Sequence, residues 1–82
     1  MTLQELKEKR GFEVSKSFTN DLHLNFKSSN KNIAYEVMAL FNSLGLECKD
    51  ICGGKAVGGY YVSTFIDPIR AENLQLNNRN YL

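Results

Sequence analysis

The side chains that could do chemistry in this sequence are few and widely spaced. His23 is the only histidine, and Cys48 and Cys52 are the only cysteines. Together they would offer a zinc ion three ligands, but neither a second histidine nor a Cys-x-x-Cys spacing supports a metal site. A cysteine–histidine nucleophile pair needs the two groups within hydrogen-bond reach. Strand alternation puts Cys48, with Leu46, on the core side and His23 on the other, so they do not meet. Glu5, Glu8, Glu36 and Glu72 fall at solvated helix positions, and no two carboxylates converge for acid–base work. No cofactor is indicated.

The stretch "ICGGKAVGGYYVSTFI", residues 51–66, holds four of the six glycines, as the pairs Gly53-Gly54 and Gly58-Gly59 with Lys55 between them. A phosphate loop of the Walker type places its lysine after the last glycine and opens a helix. Here Lys55 precedes Gly58, and Tyr60-Tyr61-Val62 continue as a strand. No helix N-terminus is expected next to the glycines to hold an anion. The pairs therefore read as structural: Gly53-Gly54 as a tight hairpin turn, and Gly58-Gly59 as a bulge or close backbone contact in the returning strand.

The elements that position these residues can be read in order. Thr2 and Glu5 form a capping box, Lys7, Lys9 and Arg10 complement the far end of the dipole, and Gly11 stops a first helix. "FEVSKSF" and "LHLNF" are strands, with Phe12, Val14 and Phe18 on one face of the first and Leu22, Leu24 and Phe26 on one face of the second. A three-residue loop, Thr19 to Asp21, pairs Phe18 with Leu22, Val14 with Phe26 and Glu13 with Lys27, and keeps both apolar sets on one side. It turns Lys16 inward, a device that protects a sheet edge. Ser29 or Asn30 caps a main helix over 30–44, whose stripe of Ile33, Val37, Leu40, Phe41 and Leu44 is core. Leu46 and Cys48 begin a second hairpin, with a bulge near Asp50. Asp67-Pro68 opens a last short helix that Ile69, Leu74 and Leu76 dock, and residues 77–82 form a frayed tail.

The expected fold is α+β: a two-layer sandwich in the order α-β-β-α-β-β-α, an antiparallel four-stranded sheet with the main helix on one face. One domain covers residues 1–76. The order α-β-β-α-β-β within it resembles one half of the LAGLIDADG homing endonucleases. The helix that pairs their halves and carries the catalytic acid has no counterpart here, so the likeness implies element order and no function.

Composition bounds the rest. Across 82 residues, 43% are hydrophobic and 23% charged, and the net charge of +1 gives no long-range field to hold a polyanion. No apolar run of 18 residues exists, so no membrane partner is expected, and the charged start is unlike a secretory signal. Cysteines four apart on one strand lie roughly 13 Å apart, beyond the about 7 Å a disulfide spans. Both are therefore read as buried or half-buried thiols in a reducing cytoplasm. Nine asparagines point to an AT-rich coding source, such as a low-GC bacterium or its phage.

Tyr60 and Tyr61 must point to opposite faces of their strand. If Tyr60, Val62 and Ile66 face the core, then Tyr61, Ser63 and Phe65 share the second face with Glu13, Ser15, Ser17, His23, Asn25 and Lys27. The expected partner-binding set is Tyr61, Phe65, His23, Lys27 and Lys49. The expected function is a small non-enzymatic interaction module, a regulator or inhibitor docking on a larger protein through this face or a sheet edge, with self-association using the same surfaces. The alternative is a single-stranded nucleic-acid binder, stacking bases on Tyr61 and Phe65 with Lys27, Lys31, Lys49 and Arg79 for phosphates.

Overall fold

The fold follows from two periodicities, alternation in the strands and a three-to-four spacing in the helices. A computed structural model describes residues 1–48 and 50–76. Its elements are α1 (Leu3–Arg10), β1 (Glu13–Lys16), β2 (Leu22–Ser28), α2 (Lys31–Ser43), β3 (Cys52–Gly54), β4 (Gly59–Ile66) and α3 (Pro68–Asn73). A single 3₁₀ turn, Lys55–Val57, joins β3 to β4. The strands form one antiparallel sheet in the order β1-β2-β4-β3. This is the α+β arrangement expected from the sequence. Lys49 and the expected 77–82 tail lie outside the described residues.

One side of the sheet builds the core. Leu22, Leu24 and Phe26 of β2 and Val62 and Ile66 of β4 are buried in one cluster with Ala34, Val37 and Phe41 of α2. The terminal helices join that cluster through Leu3, Leu6 and Ala71, with Leu76 just beyond α3. All three helices thus bury against the same face. The Leu3 amide donates to the Leu74 carbonyl at 3.0 Å, tying α1 to the end of α3. Arg10 pairs with Glu36, bridging α1 and α2.

The helix ends behave as their sequences dictate. Thr2 accepts from the Glu5 amide, and Glu5 accepts from the Thr2 amide. That backbone bond, then the Thr2 hydroxyl, holds the Glu5 carboxyl below its usual range. Asn30 caps α2 through the amides of Asn32 and Ile33. Asp67 caps α3 through the Arg70 amide, with Pro68 as first residue.

Four local expectations are corrected. The first hairpin pairs Glu13 with Asn25, Val14 with Leu24 and Lys16 with Leu22, a shift of two residues from the expected register. A shift of two leaves every side chain on its own face, so the hydrophobic pattern could not choose between them. The turn chooses. Ser17 donates to the Asp21 carbonyl at 2.9 Å, Asn20 takes φ 71°, and the Ser17 and Thr19 hydroxyls lie 2.7 Å apart. The longer loop lifts Phe18 out of the sheet, where it is 100% exposed.

Second, Gly53 and Gly54 are strand residues, not the turn. Gly54 pairs with Gly59, and Gly58, at φ 84°, is the left-handed residue that closes the loop. Third, Leu46 and Cys48 are buried as alternation requires, but they precede β3 and make no ladder. Side chains replace it: Asn42 both donates to the Cys48 carbonyl and accepts from its amide, and Thr64 donates to the Glu47 carbonyl at 2.9 Å. Fourth, Ile69 is exposed. It lies about 200° around the helix from buried Ala71, so both cannot face inward.

Candidate interaction face

The opposite side of the sheet carries no helix, and register sorts its side chains into three rows. Ser15, His23 and Phe65 form one, Glu13, Asn25 and Ser63 the next, and Lys27, Tyr61 and Cys52 the third. In the first row the His23 and Phe65 rings stack, centroids 4.8 Å apart and planes 26° from parallel. Phe65 nevertheless stays 59% exposed. In the second, the Ser63 hydroxyl donates to the Asn25 side-chain carbonyl at 2.8 Å. In the third, the Lys27 ammonium lies 5.4 Å from the centre of the Tyr61 ring, a cation–π distance.

Tyr61 is seated by a glycine. A Cβ on Gly53 would come within 2.9 Å of its Cδ2, so the ring lies across the strand where Gly53 has no side chain. The Tyr61 hydroxyl meets the Val57 carbonyl at 3.5 Å. Beside the ring, a polar hollow of about 350 Å³ is lined by Gly11, Glu13, Asn25, Lys27 and Tyr61. The ionisable groups of opposite sign here, Glu13 and Lys27, balance one another.

Of the residues expected on this face, His23, Lys27, Tyr61 and Phe65 are brought together. Lys49 lies outside the described residues. Cys52 joins them although it was expected to be buried or half-buried; it is exposed. The signal was present in the phase break at Ile51, which moves Cys52 to the face opposite Cys48.

Cys48 is buried on the core side, where its thiol donates to the Ser63 carbonyl at 3.5 Å. Burial pushes this thiol above its ordinary pKa. Iodoacetamide at neutral pH is therefore expected to alkylate native protein once, at Cys52, and twice only after denaturation. Equal native labelling of both cysteines, read by peptide mass, would contradict this burial.

Phe65 does not stand alone. β1 ends, β2 begins and β4 ends at the same margin of the sheet, so the β1–β2 loop and the start of α3 lie there too. Phe18, Phe65 and Ile69 are the exposed large apolar side chains these segments carry. Among the described residues no three His, Cys, Asp or Glu side chains come together, and no helix is long and apolar enough to cross a membrane. Comparison with protein-family models, curated proteins and solved structures finds no match for this chain.

Proposed function

We propose that this chain is a small non-enzymatic interaction module that docks on a larger protein through the helix-free face of its sheet. The observation that carries the reading is Phe65, more than half exposed yet held flat against His23. A ring already immobilised in the free protein loses little further freedom on binding, which is how aromatic anchors favour affinity. Tyr61, fixed over Gly53, is the second such ring.

Size supports a protein partner that uses more than the flat face. Four strands spaced at about 4.8 Å, averaging between five and six residues at about 3.3 Å each, present only about 350 Å². A standard interface takes about 800 Å² from each partner. Phe18 and Ile69 at the adjoining margin extend the apolar area in the needed direction. Charge favours protein over nucleic acid, because Glu13 offsets Lys27 on the face and phosphate neutralisation dominates nucleic-acid affinity.

The test is affinity purification of the tagged full chain from its source cells, beside Phe65→Ala and Tyr61→Ala. Each change removes one ring contact from the surface layer, so stability should fall by no more than about 1.5 kcal/mol. The parent chain is expected to retain one protein partner, and Phe65→Ala to weaken it by about 30-fold or more, as a binding hot spot does. A partner indifferent to both changes would move the site elsewhere. Retention of single-stranded RNA or DNA at low salt, lost on Tyr61→Ala, would replace the reading with a nucleic-acid one.

A further inference from the structure

At the end of the sheet away from Phe65, β2 runs into α2 and the β3–β4 turn folds beside it. Residues 22–35 and 51–66 contain no aspartate or glutamate, yet they supply Lys27, Lys31 and Lys55. A hollow of about 320 Å³ opens at this end, lined by Ser29, Lys55, Gly58, Gly59 and Tyr60. The fold thus brings the residue before the α2 cap beside the glycines, a neighbour that sequence adjacency does not supply.

Each wall has its own chemistry. Lys55 offers a cation and Ser29 a hydroxyl donor, while Tyr60 offers a ring. A Cβ on Gly58 would meet nothing within 4 Å, so the backbone there is open to close approach. The Lys27 stem passes Gly59, its Cε 3.2 Å from where a Cβ would sit. Lys31 opens α2 two residues after Ser29, its ammonium 5.9 Å from the Tyr35 ring. Among the described residues none of these three lysines has a carboxylate in ion-pair contact. Glu13 shares the other hollow with Lys27, not this one.

We propose that this hollow binds a small phosphate monoester. Lys55 meets the phosphate, Ser29 donates to it, Lys31 adds to the local positive potential, and the Tyr60 ring carries the organic group. A compact anion suits this site because Lys55, without a carboxylate partner, lines a space that also has an apolar wall. The arrangement is not a Walker loop, since its lysine precedes the paired glycines. It is also independent of the docking face.

The experiment is a titration of the ¹⁵N-labelled full chain, followed by amide NMR shifts at constant ionic strength. One arm uses inorganic phosphate and the other a nucleoside monophosphate. Saturable shifts centred on Ser29, Lys55, Gly58 and Gly59 are expected in both arms, with tighter binding of the monoester. Lys55→Gln, on an exposed turn, is expected to weaken both by about tenfold with amide dispersion unchanged, whereas Lys9→Gln, removing the same charge from α1, leaves them alone. Shifts of equal size at Lys7, Lys9 and the other lysines would overturn the site, as would Lys55→Gln titrating like the parent. A response to a single-stranded oligonucleotide alone, with none to either small ligand, would also overturn it.

Discussion

Phe41→Ala is expected to remove about 3–5 kcal/mol of stability. A chain of this length holds only about 4–12 kcal/mol in total, so the loss is a quarter of that stability or more. Phe41 is fully buried at the middle of the core. Its ring meets Phe12 edge to face, centroids 5.4 Å apart at 75°. The Phe41 carbonyl also accepts from the Leu46 amide at 3.1 Å, so the same residue anchors the chain leaving α2. Truncation leaves a cavity between α2 and Phe12, the residue before β1. Urea unfolding followed by circular dichroism gives the midpoint and slope. A loss under about 1 kcal/mol would mean the core is looser than this packing implies.

Gly53→Ala is expected to cost about 2–4 kcal/mol, from backbone strain and overpacking together. Gly53 has φ 97°, and its Cβ would lie 2.3 Å from the Gly59 carbonyl oxygen and 2.9 Å from the Tyr61 ring. The carbonyl belongs to the paired strand and cannot yield without breaking the β3–β4 ladder. Gly11→Ala separates the two contributions. Gly11 has φ 76° but nothing within 4 Å, so it should lose only about 1 kcal/mol. Near-ultraviolet circular dichroism should register the displaced Tyr61 in the first variant and not in the second. Equal losses at both positions would show that the crowding against β4 is not felt. The Gly53 variant should also weaken partner binding, because it unseats one of the two proposed anchor rings.

Alternation was the most legible property of this chain. It placed His23, Asn25, Lys27, Tyr61, Ser63 and Phe65 on one side and the leucines on the other, and the cross-strand rows bear this out. Capping chemistry was equally plain at Thr2, Asn30 and Asp67, where one short side chain answers a local backbone need. What stayed hidden depended on contacts between segments distant in sequence. Whether Phe18 entered the sheet turned on a loop held by Ser17 and Asn20, since two registers shared one pattern. That Leu46 and Cys48 lie inward but unladdered depended on Asn42 reaching across from α2, a residue that looks like any solvated helix position. Strand order was invisible as well. It decided that Tyr61 neighbours Lys27 and that Phe65 neighbours His23, so the pairs that define the face exist only in the folded sheet.

The sheet order β1-β2-β4-β3 seats two strands from opposite halves of the chain at its centre. Neither half can complete the sheet by itself, because each brings one inner and one outer strand and lacks the neighbour its inner strand needs. During synthesis the edge of β2 that β4 covers therefore stays unpaired until residues through Ile66 have left the ribosome. Cut in the connection after α2, the two fragments should each remain unstructured and regain the native assembly only when mixed.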